Sequence, residues 1–222
     1  MTFADLINKV LRALREDTIT TSLTEAYVEL VGQYVNEAKT DIEDMGPWYA
    51  LRTVVSDTLS VGVSTLAFTA DTDDRSYLLT NNAGQPEAYI TTSNFWHRLE
   101  VISQAEMEYL WIVSPTQSNA NPSYVSFSRA AGGMTATFFP APDLAYTTKF
   151  TWVVPQDEFT VYSDVLSIPG DPVWREALVR AMEERGEEFA GPLDGARARA
   201  AKALSNAMVR DFGADSYTFV AQ

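Results

Sequence analysis

The hydrophobic period of this chain changes twice, and those two changes limit its fold more than any other feature. From Phe3 to Met45 apolar residues recur every three or four positions, the period of helices with one buried face. At Trp48 the texture shifts to short runs rich in Val, Thr and aromatic residues, which favour strands. At Asp171 the helical period returns and holds to about Arg210. Helices thus bracket a β middle. Neither helical pair can bury its apolar faces alone, so the two chain ends are expected to pack together. The expected class is α+β: a four-helix bundle formed by both chain ends, with an inserted antiparallel β domain, a sandwich or partial barrel. Expected boundaries are 1–48 with 168–212 for the discontinuous helical domain, 49–167 for the β-rich insertion and 213–222 for an extended C-terminal tail.

The second helix carries the clearest end signals. Ser22 and Glu25 form a capping box, and Tyr27, Val31, Tyr34, Ala38, Ile42 and Met45 share one face. Gly46-Pro47 stops the helix, and Trp48 opens an extended run from Tyr49 to Leu59. Before it, a helix from Phe3 to about Arg15 starts at Thr2 and Asp5 and buries Phe3, Leu6, Ile7, Val10 and Leu14. After the β region, Asp171 is the expected N-cap and Pro172 the first helical residue, with Trp174, Ala177, Leu178, Ala181, Met182 and Phe189 on the inner face. Gly191-Pro192 breaks the chain. Asp194 caps a last helix, Gly195 to about Arg210, whose inner face is small: Ala196, Ala200, Ala203, Leu204 and Ala207. Tyr34, Ile42, Trp174 and Leu178 are expected to meet in one core.

Between the helices, strands are predicted at Tyr77–Thr80, Ala88–Thr92, Arg98–Ile102, Ser123–Arg129, Met134–Phe139 and Tyr146–Val154. Phe150 and Trp152 share one face of the last. A short helix, Gln104–Leu110, is capped by Ser103 with Glu106 in its first turn.

The chemistry a catalyst needs is mostly missing. There is no cysteine, so disulfides, thiolate zinc sites and a cysteine nucleophile are excluded. The single histidine, His97, has no second histidine to share a metal and no GxSxG nucleophile motif to serve. The acidic groups Asp71/Asp73/Asp74 and Glu183/Glu184/Glu187/Glu188 lack the spacing of a calcium loop and read as solvated. Gly132-Gly133 has no phosphate-loop context. No catalytic, metal-binding or cofactor-binding residues are expected, and no cofactor. The formal net charge of −14 repels nucleic acid. The N-terminus lacks the pattern of a signal peptide, and no apolar run approaches the roughly 20 residues that cross a bilayer, so no membrane is expected among the partners. Phe95-Trp96-His97 follows a polar run without alternation and is expected to be exposed at an interface.

Four stretches, in order, resemble the head–tail adaptor proteins of tailed bacteriophages, also called portal adaptors or head–tail connectors, of the tubular type found in short-tailed and some long-tailed phages. They are FADLINKVLRAL at 3–14, YVELVGQYVNEAKTDIEDMGPWYALR at 27–52, MTATFFPAPDLAYTTKFTWVVP at 134–155 and IPGDPVWREALVRAMEERGEEF at 168–189. The resemblance spans nearly the whole chain, apart from 80–122. It implies a structural virion protein at the head–tail junction, made in the host cytoplasm and not an enzyme. Copies, commonly twelve, would form a ring beneath the portal protein, extend the DNA channel without gripping DNA, and present a platform to a tail or nozzle protein. Within that picture the expected contacts to portal and neighbouring subunit are Arg197, Arg199, Lys202 and Arg210 on the basic last helix, with Tyr217 and Phe219 on the tail. Phe95, Trp96 and His97 are the expected tail-side contacts. Two other readings stay open: a tail-associated module binding carbohydrate or protein through the β domain, and a carboxylate-dependent hydrolase.

Overall fold

Thr2 starts the first helix with reciprocal hydrogen bonds: Asp5 N donates to Thr2 Oγ1 at 3.2 Å, and Thr2 N donates to Asp5 Oδ2 at 3.0 Å. The computed structural model of the chain describes residues 1–19, 26–68, 75–81, 84–92, 95–114, 118–130, 133–186 and 192–212. The chain divides into two compact units, one of residues 1–51 with 155–222 and one of residues 52–154. The class is α+β.

In the first unit, α1 (Phe3–Ala13) buries Phe3, Leu6, Ile7, Val10 and Leu11. It ends two residues before the expected Arg15, which takes a left-handed φ of 62°. α2 (Ala26–Asp44) buries Val28, Val31, Gly32, Val35, Ala38, Lys39, Ile42 and Glu43. Its buried stripe is therefore rotated from the expected one. Tyr27 and Tyr34 lie at its margin and Met45 is 50% exposed, because Val28 and Val35 point into the core instead. A side chain at Gly32 would meet the Phe3 ring at 3.2 Å, so α1 and α2 cross closely there. The Ser22/Glu25 capping box lies outside the described residues.

Trp48 closes α2 rather than opening a strand. Its indole Nε1 donates to Ile42 O at 2.6 Å and the side chain is fully buried. A single 3₁₀ turn (Tyr49–Leu51) intervenes before the first strand. α4 (Gly170–Glu184) begins one residue before the expected cap. Asp171 lies in its first turn and accepts from Trp174 Nε1 at 2.9 Å and Arg175 Nε at 3.1 Å instead of capping the backbone. Those bonds, and the cations of Lys9 and Arg175 over its ring, keep Trp174 at the surface margin and out of the expected core. α5 (Pro192–Phe212) starts at the proline itself, before the expected Asp194, and buries Leu193, Ala196, Ala200, Ala203, Ala207 and Met208. α4 packs against α1, α2 and α5, and α1 packs against α2.

A strap without helix or strand, residues 155–169, runs to α4 and is tied to α2 by polar groups. Asn36 exchanges two hydrogen bonds with the Phe159 backbone, each of 3.0 Å. Lys39 Nζ donates to Gln156 O at 2.6 Å and Asp157 O at 2.9 Å, and lies 3.5 Å from Glu43. Glu43 accepts in turn from Gln156 N at 3.3 Å. Both members of the Lys39–Glu43 pair are fully buried. The strap also receives the start of the chain, with Phe3 N donating to Asp164 O and Leu166 N to Met1 O.

The second unit is two sheets. One pairs β1 (Arg52–Leu59), β9 (Tyr146–Val153), β4 (Ala88–Thr92) and β5 (Phe95–Arg98) in that order, with β3 (Tyr77–Leu78) also on β9. The other is β2 (Thr65–Phe68), β8 (Gly133–Phe139), β7 (Tyr124–Ala130) and β6 (Glu100–Val101), all antiparallel except β6 with β7. The run expected as one strand, Arg98–Ile102, switches sheets at buried Leu99: Leu99 N donates to Ala88 O, while Glu100 N donates to Ser123 O. Inner faces of both sheets share one core, in which Leu59, Ile90, Phe150 and Trp152 meet Phe68, Val125, Ala136 and Phe138. Phe127 stands edge-on to both Phe150 and Trp152, at centroid distances of 5.1 and 5.3 Å. α3 (Gln104–Val113) packs on β7 and β8, opened by a capping box between Ser103 and Glu106.

Candidate functional site

The cations of α5 divide by helix face. Leu193, Ala196, Ala200, Ala203 and Ala207 turn inward, so Arg199, Lys202 and Arg210 are exposed. Arg197 is not with them: its guanidinium is partly buried and pairs with Glu183 of α4, with Nε 3.2 Å from the carboxylate. At the middle of the outward face stand Ala198, Lys202, Ser205 and Val209, spaced by four, three and four, with Arg199 and Arg210 along one margin. Tyr217 and Phe219 lie outside the described residues.

Phe95, Trp96 and His97 all lie in β5, held by pairing with β4: Thr92 with Phe95, Thr91 with Trp96 and Ile90 with His97. Successive strand residues point to opposite faces, so Trp96 and His97 do not share a patch. Trp96, 53% exposed, lies on the outer sheet face with Lys149 Nζ 5.7 Å from its ring centroid. His97 is exposed.

A third surface lies along α3 of the β unit. On α3, Met107 is buried and Trp111 stands edge-on to Phe139 at 5.0 Å, yet Tyr109, Ile112 and Val113 are 64, 75 and 59% exposed. A groove of about 350 Å³ beside them is lined by Met107, Glu108, Trp111, Ile112, Ser126 and Thr137. The signal was the composition of the helix, Met-Glu-Tyr-Leu-Trp-Ile-Val, which is apolar on more faces than one sheet can cover. Glu106 accepts from Ser103 N at 2.9 Å and Ser103 Oγ at 2.8 Å, and these bonds hold its carboxyl below the usual range, so it stays charged.

A groove of about 320 Å³ in the helical unit holds several carboxylates, among them Asp41, Glu176 and Glu183. Two are occupied by guanidinium groups. Arg180 binds Asp41 together with Glu37, the latter at 2.7 Å, and Arg197 binds Glu183. Glu176 alone is shifted, pushed up by burial. The arrangement ties α2, α4 and α5 together and offers no free carboxylate pair. Glu187 and Glu188 lie outside the described residues, as do Asp71, Asp73 and Asp74. Among the described residues no group of three or more His, Asp and Glu is placed to hold a metal ion, and no helix is long and apolar enough to cross a membrane.

A family model described as SU10 adaptor protein matches residues 1–219. No curated protein matches the chain.

Proposed function

This chain belongs to the SU10 adaptor protein family, and from that premise we propose that it is a structural virion protein acting as a phage head–tail adaptor. Copies form a ring beneath the portal protein, extend the DNA channel and give a tail or nozzle protein its platform. The helices of both chain ends serve as one four-helix bundle in each copy. The observation that carries this reading is the family match over nearly the full chain, in agreement with the four ordered stretches that resemble such adaptors. Exposed apolar and basic helix faces support an assembly role. The net charge of −14 suits a channel past which DNA slides. The test is electron microscopy of the purified chain mixed with candidate portal proteins. Rings stacked on a portal are expected. A chain that forms no ring with any portal and binds none would overturn the reading.

Trp96, exposed beside Lys149, favours one alternative, a tail-associated module that binds carbohydrate or protein through the β unit. Trp111 is less suited, since it packs on Phe139. Glycan binding lost on Trp96→Ala would support that alternative.

A further inference from the structure

On the ring reading above, we infer that the outward face of α3 docks on the outward face of α5 of a second copy of this chain. α3 has two apolar faces. Met107, Leu110 and Trp111 turn toward the sheet, while Ala105, Tyr109 and Ile112, spaced by four and three, form a second stripe on the solvent side, with Val113 at its end. An isolated helix of a soluble unit has no use for the second stripe, and its cost in water is removed only when something covers it.

Charge selects the partner. Residues 100–114 include Glu100, Glu106 and Glu108 and no Lys or Arg, so the stripe has an acidic rim. Two α3 faces placed together would set these carboxylates against each other. The partner must bring cations around a surface that accepts large apolar side chains. Among the described residues Lys39, Arg175, Arg180, Arg185 and Arg197 already hold carboxylates of their own chain, and the exposed Arg12 and Arg15 are followed directly in sequence by Glu16 and Asp17. Arg199, Lys202 and Arg210 are exposed together on one helix. Between and beside them lie Ala198, Ser205 and Val209, the last 55% exposed. Small residues there leave room for Tyr109 and Ile112 to approach the α5 backbone, while Glu106 and Glu108 meet Lys202 and Arg199 or Arg210. The two faces differ, so each copy offers one and receives the other. Such a head-to-tail contact propagates, and closes when the rotation permits.

The absence of cysteine makes the test clean. Full chains carrying Ile112→Cys and Val209→Cys, singly and together, are treated with a short bis-maleimide. Mixed single variants are expected to give a cross-linked dimer, and the double variant a ladder of multimers. Adding Lys202→Glu should cut the ladder about tenfold, and Glu108→Lys on top of it should restore most of the loss. Both cysteine positions are exposed, and circular dichroism checks that the variants stay folded. Cross-linking confined to Ile112→Cys chains would make the α3 face self-pairing and overturn the inference. Wild-type chain that sediments as multimers while the double variant gives no ladder overturns this contact and leaves the ring. Wild-type chain that stays monomeric at millimolar concentration, with no ladder, overturns this contact, while the ring is decided by the mixture with portal proteins.

Discussion

Lys39 and Glu43 show how much a single residue can hold in this chain. A fully buried ammonium beside a fully buried carboxylate needs further partners, and backbone groups of Gln156 and Asp157 supply some of them. Lys39→Ala leaves the Glu43 charge buried with a lost partner and should cost about 3–5 kcal/mol in urea denaturation. Lys39→Met with Glu43→Leu should cost less than that single change, because no uncompensated charge remains. Tyr146 gives a pH signature. Its hydroxyl donates to Asp143 Oδ1 at 2.7 Å, and burial, with that carboxylate, pushes its pKa from 10.0 up to about 12. The folded state holds this proton more tightly than the unfolded state. The contribution is therefore full below about pH 10 and is lost as pH rises toward about 12. Denaturation of wild type and Tyr146→Phe across that window should show the steeper alkaline loss in wild type; equal slopes would contradict it. Neither Lys39 nor Glu43 was legible in the sequence. A polar residue on a helix is read as solvated, and only the strap that folds back over α2 reverses that.

At the scale of elements, the starts of α1 and α3 were readable, while the caps expected at Asp171 and Asp194 and the edges of the buried faces were not. Thr2 with Asp5 and Ser103 with Glu106 both form the boxes their spacing implies. The inner face of α4 was legible at Ala177, Leu178, Ala181 and Met182 but not at Trp174. A tryptophan counts as apolar in a periodicity argument, yet Asp171 and Arg175 on the same helix give it a polar place at the margin. Two tryptophans should therefore respond differently. Trp48→Ala removes a fully buried ring and its bond to Ile42 O and should cost about 3–5 kcal/mol. Trp174→Ala should cost less than about 2 kcal/mol, since its ring is only partly removed from water. Thermal or urea unfolding of the two variants checks the order, and a larger loss at Trp174 would refute it. In β5, Phe-Trp-His carries no alternation that would mark a strand. Pairing with β4, a non-local interaction, makes it a strand all the same.

At the scale of the whole molecule, charge governs behaviour toward DNA. With a net charge of −14, the purified protein should show no salt-sensitive DNA binding near physiological ionic strength. Micromolar binding that weakens steeply with salt would count against the channel reading. The expected tail contacts are tested by deleting residues 214–222: unchanged stability with lost portal binding supports them, and unchanged binding removes them. The pairing of β1 with β9 carries a further consequence. Arg52 and Val153, at the two ends of the β unit, face each other across adjacent strands, so the chain leaves and rejoins at points about 5 Å apart. A segment inserted through so narrow a neck is a cassette. It can be exchanged, lengthened or recombined as one block without changing the distance its host must span. A lineage of such proteins could thus re-equip one surface for a new attachment while inheriting its helices untouched.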